Sequence, residues 1–289
     1  MSRPLSSYVE SAPVHRDVQG PNRTEYRTRG ILASVTPGTR IGDEGRRLTP
    51  IRDARGVFPE PLEDLFAGLA GPWTLDVYCF LIQAGHRVVL VDTGLGPPWA
   101  PAGDWFDPAA TGGLPGGLAA AGVAPGEVTD VVLTHLHADH IGWNVADETA
   151  PTPYFPNARH IVQMLELKAI PNQAPAYQTH IVPLADAGIL DVVDGRTTLL
   201  PGIELVPAPG HTPGHQAVLV DRHDRIERPV LLAGDAFVHP AQVNDPDLAY
   251  RYEADPGAAA GTRRELLRLV TERDADLAPA HFDRRTPAG

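Results

Sequence analysis

The chain has 289 residues, of which 43% are hydrophobic, so it can build one large domain or two small ones, and nothing in its composition argues for a split. Lys plus Arg total 24 against 36 Asp plus Glu, a formal charge of −12, and no basic run is interleaved with aromatics, which argues against a nucleic-acid partner. The single cysteine excludes an intramolecular disulfide; with no apolar run near the roughly 20 residues of a membrane span and no secretory-type start, the expectation is a soluble, cytoplasmic protein without membrane partners.

Residues Ser2 to Arg29 are polar and read as an N-terminal extension, 1–29, that wraps the surface or mediates contacts in a homodimer. A single domain is expected over 30–289. Strands are expected at Gly30–Val35, Leu75–Ile82 and His86–Val91, the last two forming a hairpin about Ala84-Gly85. Cys79 falls inside a strand, where packing is its expected role and no neighbour supplies a base to activate it. The segment 95–117 is rich in Pro and Gly and carries Trp99, Trp105 and Phe106, which either pin it to the body or wall an apolar substrate pocket. Leu114–Ala121 reads as a helix, and Val131–Leu133 as a short buried strand.

That strand runs into His135-Leu136-His137-Ala138-Asp139-His140, four candidate metal ligands within six residues. His135 and His137 are two apart, so in extended chain they leave on one face and can grip one ion. Imidazole suits zinc and similar metals, and a carboxylate adds a hard anionic ligand. From Asp139 to Ala146 a helix is expected, its positive end towards the site. Arg159–Val162 reads as a strand. The stretch 164–191 reads as helical pieces interrupted at Pro171, Pro175 and Pro183, an insertion suited to substrate selection, with Tyr177 and His180 as its polar groups of interest.

Three more candidates each follow an apolar run: Ile203–Val206 leads to His211, Pro229–Gly234 to Asp235, and Leu277–Ala280 to His281. Four strand ends thus deliver five His and two Asp, with Gly or Pro close before each of the three downstream ligands so that the chain can turn sharply. Gly261–Arg273 is an amphipathic helix with Leu266, Leu267, Leu269 and Val270 inward and Arg263, Arg264, Glu265 and Glu272 outward. The pairs Arg263-Arg264 and Arg284-Arg285 read as solvated ends, and His15, His86, His160 and His223 as ordinary residues.

The run from Thr134 to His140, followed by Gly210-His211, Gly234-Asp235 and Ala280-His281 and preceded by Val88–Gly94, resembles the metallo-β-lactamase superfamily over roughly residues 30 to 285. The resemblance implies a four-layer αβ/βα sandwich, two mixed β-sheets flanked by helices, with the site at one edge. It implies two metals, zinc with iron or manganese as alternatives. His135, His137 and His211 would hold the first, Asp139, His140 and His281 the second, with Asp235 bridging and Asp92 orienting ligands from behind. Asp139 and Asp235 would be the catalytic carboxylates of a hydrolase that uses a hydroxide between the metals on a small ester or lactone, or a phosphotriester. A glyoxalase II-like thioester hydrolase and a mononuclear iron sulfur dioxygenase are the alternatives.

Residues 210–215 and 234–242 look most like the branch containing methyl parathion hydrolase and the N-acyl-homoserine lactonases. Compact lactonases place a Tyr three residues after the bridging Asp, and position 238 here is Val. His215 is expected to hold the ligand loop rather than a metal. His239 either contacts substrate or is satisfied locally beside Pro240.

Overall fold

Alternation along the strands sorts their side chains onto two faces, and both faces are apolar in most of them, so each sheet is covered on two sides. The computed structural model describes residues 46–97, 111–147, 149, 151–223 and 226–282. The N-terminal extension, the expected strand Gly30–Val35, Trp99, Trp105, Phe106 and Arg284-Arg285 lie outside the described residues. One sheet has the spatial order β1 (Arg47–Val57), β2 (Thr74–Ala84), β3 (Arg87–Val91), β4 (Asp130–Val132), β5 (Arg159–Gln163), β6 (Leu190–Val193). Its first three strands are antiparallel, and β3 to β6 run parallel. The second sheet holds β7 (Thr197–Leu200), β8 (Ile203–Pro207), β9 (Gln216–Val220), β10 (Val230–Gly234) and β11 (Asp276–Pro279) in chain order. Because β9 opposes both β8 and β10, and β11 is parallel to β10, the C-terminal ends of β8, β10 and β11 share one edge.

The helices are α1 (Leu62–Leu65), α2 (Leu114–Ala120), α3 (Ala138–Ile141), α4 (Met164–Ala169), α5 (Pro175–His180), α6 (Val182–Asp186), α7 (Ala241–Asn244) and α8 (Pro256–Glu272). Phe80 and Ile82 of β2 face the second sheet and pack with Val89, Val132, Leu205 and Val218. Cys79 and Leu81 face the other way, with Leu118 of α2 and Tyr177 of α5. On the far side, Leu219 and Leu231 pack against Leu266 of α8. The result is the expected four-layer sandwich. Cys79 is fully buried, and burial pushes its thiol pKa well up, which leaves it an inert packing group.

Strand β1 has no clean apolar alternation, and its pairing with β2 shifts register between Arg52 and Ala54. Asp53, at that shift, is buried. Its Oδ2 accepts from the amides of Leu95 (2.8 Å) and Gly96 (3.2 Å), and its Oδ1 from the Leu114 amide (2.8 Å) and Trp143 Nε1 (3.0 Å). One carboxyl group therefore joins the first sheet, the chain after β3, the start of α2 and the chain after α3. Those contacts override the helix expected from Asp139 to Ala146: α3 has four residues, and a 3₁₀ turn with non-helical Trp143 follows. The Gly142 amide goes instead to the Gly94 carbonyl at 2.7 Å, and Thr93 Oγ1 donates to Asn144 Oδ1 at 3.0 Å.

Helix α8 begins five residues earlier than expected, where Asp255 accepts from the Ala258 amide at 2.9 Å and Pro256 occupies the first turn. Arg263, expected on the outer face, is instead 1% exposed. It is ion-paired with buried Glu253 and donates through Nε to the Pro246 carbonyl at 2.7 Å and through its second terminal nitrogen to Leu248 at 3.2 Å. A polar residue at the edge of an apolar stripe reads as solvated unless a partner comes from outside the helix, and here the 246–253 segment supplies three.

Arg263→Ala is expected to destabilise the protein by about 3 to 5 kcal/mol in denaturant unfolding, because buried Glu253 loses its counter-charge. A change below about 0.5 kcal/mol, as at solvated positions, would contradict this placement. His160 is fully buried with Nδ1 on the Ala158 carbonyl at 3.2 Å, and burial lowers its pKa to about 4. Its folded pKa lies below the unfolded value near 6.5, so its neutral form contributes stability above pH ~6.5 that is lost as pH falls through about 4. The loss is of order 3 kcal/mol. His160→Leu should lack this component and flatten the pH dependence of stability between ~6.5 and ~4; superimposable profiles would refute it.

Candidate metal centre

Strand β4 ends at Val132, and the chain continues through Thr134 to the His135–His140 run. It is anchored there by Asp92, at the end of β3. Asp92 adopts φ = +58°, uncommon for a side chain other than glycine, and its position is fixed by three bonds. Oδ1 accepts from the Thr134 amide (2.7 Å), and Oδ2 accepts from Thr134 Oγ1 (2.8 Å) and lies 2.8 Å from His140 Nδ1. A proton on Nδ1 then leaves His140 Nε2 directed at the centre. His281, after β11, is set the same way by the backbone: its Nδ1 lies 2.8 Å from the Asp76 carbonyl of β2.

Asp235 follows β10 and is 6% exposed. Its Oδ1 lies 3.2 Å from His140 Nε2, its Oδ2 lies 3.3 Å from His211 Nε2 and 3.8 Å from His135 Nε2, and His281 Nε2 is 3.1 Å from both oxygens. The Asp235 amide donates to His215 Nε2 at 3.0 Å, so His215 holds the loop, as expected. Gly234, at φ = +51°, permits this approach, since a Cβ would meet His215 Nε2 at 2.7 Å. Asp139 Oδ2 is 3.5 Å from His281 Nε2 and 3.7 Å from His140 Nε2. With 22% of its side chain exposed it is the more open of the two carboxylates.

All seven expected ligands therefore converge. They fall into two groups, His135, His137, His211 and Asp235, and Asp139, His140 and His281, each with ligand atoms within 4.8 Å of one another. Burial opposes ionisation of Asp235, yet His281 and His140 hold its carboxyl well below the usual range. Burial likewise opposes a charge on His140, but Asp235, Asp139 and Asp92 outweigh it and raise its pKa well above the ordinary value. His135 and His211 go the other way, lowered well below it by burial and by neighbouring imidazoles despite Asp235. His135 Nε2, His140 Nε2 and Asp235 Oδ1 are buried without a hydrogen-bond partner, and His211 Nε2 sits 3.0 Å from His137 Nδ1. Imidazole lone pairs and a buried carboxylate crowded around one point are the donor set that a divalent cation satisfies, so the residues fit metal.

Beside the His211 ring lies Tyr250, parallel to it within 15° at 6.2 Å between centroids. Phe66 stacks on Tyr250 at 5.1 Å, Trp73 meets it edge-on at 6.0 Å, and Val238 and Leu95 belong to the same buried cluster. His239 packs its ring at 5.3 Å from Phe66 and accepts the Ala241 amide on Nδ1 at 3.2 Å, so the local, satisfied role describes that nitrogen. Tyr177 is buried in the outer core rather than at the centre, and buried His180 is likewise absent from both donor groups. Sequence reading missed Thr134, Tyr250, the Asp76 carbonyl and Glu166. Only Thr134 sat inside a recognisable motif. The others bear on the ligand loops through contacts between residues 30 to 205 positions apart.

Comparison with known proteins agrees with this arrangement. Residues 72–281 match the family described as the metallo-beta-lactamase superfamily. An N-acyl homoserine lactonase of a Bacillus species is 30% identical over 173 residues, 56% of this chain and 64% of that protein. A probable metallo-hydrolase of Mycobacterium bovis is 30% identical over 266 residues, 79% of this chain and 75% of that protein. The chain thus spans less than two thirds of the Bacillus lactonases it matches. Among solved structures, AidC, a dizinc quorum-quenching lactonase in complex with a product, aligns with a TM-score of 0.66 at 21% identity, covering 82% of this chain and 87% of that one. With its sheets, its strand-end ligands and a family match that reaches from Gly71's neighbour Pro72 to His281, the chain belongs to the metallo-beta-lactamase superfamily.

Proposed function

We propose that this protein is a hydrolase of a small, largely uncharged ester or lactone, with two divalent metals, zinc first among them, held by the seven converging side chains. The observation that carries this reading is the position of Asp235, whose carboxylate stands between the two donor groups: Oδ1 lies near His140, Oδ2 near His211 and His135, and His281 Nε2 is 3.1 Å from both oxygens. His135, His137 and His211 would hold one ion, Asp139, His140 and His281 the other, with Asp235 between. Metals bound there would supply an activated water near neutral pH and polarise the carbonyl under attack.

The chain's own groups do the rest. Asp139 stands at the open face, where it can take the proton of the attacking water and pass it to the leaving alkoxide. Asp92 and the Asp76 carbonyl fix the tautomers of His140 and His281, and His215 fixes the backbone of Asp235. Tyr250, Phe66, Trp73, Leu95 and Val238 form an apolar flank beside His211, which favours a hydrocarbon or aryl substituent on the substrate and keeps bulk water from that side. The −12 formal charge disfavours polyanionic substrates.

Metal analysis of the full chain is expected to give about two zinc per chain, with turnover of lactones or aryl esters that is lost on chelation and restored by zinc. About one iron per chain with oxygen-dependent turnover would overturn the hydrolase reading, and a preference for thioesters would move it to another substrate class. His137→Ala and Asp235→Asn should each lower kcat/KM by more than the roughly 10- to 100-fold that loss of an outer partner costs. Turnover within a factor of about three of wild type would refute the ligand assignment.

A further inference from the structure

Glu166 lies on α4, in the segment whose sequence suggested an insertion, and is only 4% exposed. A carboxyl group this buried needs partners, and among the described residues its partners are two backbone amides. Oε1 accepts from Leu136 at 3.1 Å, and Oε2 accepts from Gly214 at 2.9 Å. Leu136 stands between His135 and His137. Gly214 lies three residues after His211 and directly before His215, which holds the Asp235 amide. One side chain therefore ties together the two loops that carry all three imidazoles of the first donor group.

The approach is close enough to dictate the residue at 214: a Cβ there would lie 2.1 Å from the Glu166 amide nitrogen and 2.6 Å from its Cα. The same two segments are joined again from within the sheets. Gln163 Nε2 donates to Gln216 Oε1 at 2.9 Å, Gln216 Nε2 to the Leu133 carbonyl at 2.8 Å, and the Gln216 amide to Thr134 at 2.9 Å. The second donor group has different supports, Asp92 behind His140 and the Asp76 carbonyl behind His281. Asp92 also holds Thr134, whose Oγ1 lies 3.0 Å from His135 Nδ1, so the support peculiar to the first donor group is the Glu166 clasp that joins its two loops.

We infer that Glu166 is a positioning residue: by fixing the separation of the His135–His137 and His211 loops it sets cation affinity at that donor group, without touching the cation. The inference rests on the metal-site reading above. Glutamine at 166 keeps the size but offers one acceptor oxygen and an amide group that would face the second backbone N–H, so one loop loses its anchor.

The test is calorimetric titration of the metal-free full chain with zinc chloride, paired with denaturant unfolding of the same metal-free samples. Wild type is expected to show two classes of site. In Glu166→Gln one class should weaken about 10- to 100-fold while the other moves less than about 3-fold. His211→Ala should remove the class that Glu166→Gln weakens, and adding Glu166→Gln to it should leave the surviving class unaltered. Equal weakening of both classes, tracking a lowered stability of the metal-free chain, would mean a merely structural role and overturn the inference. Unchanged affinities would overturn it as well. If Glu166→Gln does not fold, Gly214→Ala probes the same clasp from the other side and should show the same one-class loss. Wild type that binds no zinc would sink the metal reading and this inference together, whereas two normal zinc sites in both proteins would sink this inference alone.

Discussion

Asp235 is the constraint around which this molecule is arranged. A carboxylate at 6% exposure is costly to ionise, and the cost is offset here chiefly by His281 and His140, with His211 and His135 completing a ring of imidazoles within 3.8 Å of its oxygens. Those imidazoles arrive from the ends of three strands other than its own, so the centre forms only when both sheets are stacked in register. The topology supplies that register. Because β9 runs against both neighbours, β8 and β10 deliver His211 and Asp235 to one edge, and the chain after β11 reaches β2 through the Tyr78 amide on the Ala280 carbonyl at 2.9 Å. The bond that sets His281 thus comes from the opposite sheet.

Much of the centre was legible because each ligand cluster follows a short apolar run, with Gly or Pro close before His211, Asp235 and His281, and both the strand and the turn are local properties. The four-layer sandwich followed from the resemblance those motifs carry. What was not legible depends on contacts between distant segments. Asp53 sits in a strand interrupted by Pro50, Arg52 and Arg55, and its role appears only once Leu95, Gly96, Leu114 and Trp143 surround it. Arg263 looks solvated by helical periodicity, and its burial depends on Glu253 and the carbonyls of Pro246 and Leu248. The helix expected after Asp139 fails for the same reason. Gly142, Trp143, Asn144 and Val145 are weak helix formers, so local propensity does not resist the backbone and side-chain bonds to Gly94, Thr93 and Asp53 that end it.

The apolar flank is held by a polar device of its own. Gln242 Oε1 accepts the amides of Val238 (2.9 Å) and His239 (3.2 Å), and its Nε2 donates to the Leu248 carbonyl at 3.1 Å, drawing the two ends of the 238–248 segment together. Arg263 then grips the same Leu248 carbonyl from α8, and Glu253 joins both. Tyr250 lies between Leu248 and Glu253, so its parallel placement on His211 is a consequence of a buried ionic and amide network and not of aromatic contact alone. The Ala254 and Asp255 amides, on the carbonyls of His211 and Gly210 at 3.0 and 2.9 Å, carry the same restraint back to the ligand loop.

Position 238 takes its meaning from this network. A valine there, 2% exposed and packed with Tyr250, Phe66 and Trp73, fills the space beside the centre with hydrocarbon and offers a substrate no hydrogen bond. On the proposed ester or lactone reading, charge developing on the scissile oxygen would be met by the donor groups of the centre and by Asp139, while the flank would exclude water and favour an apolar substituent. A tyrosine introduced at 238 would have to displace part of an aromatic cluster already closed by Tyr250, at a steric cost of about 1 to 3 kcal/mol for overpacking. On the same proposed reading, such a wall would discriminate among esters by only roughly 10- to 200-fold per methylene-sized difference, which would suit a family of related apolar substrates better than a single one.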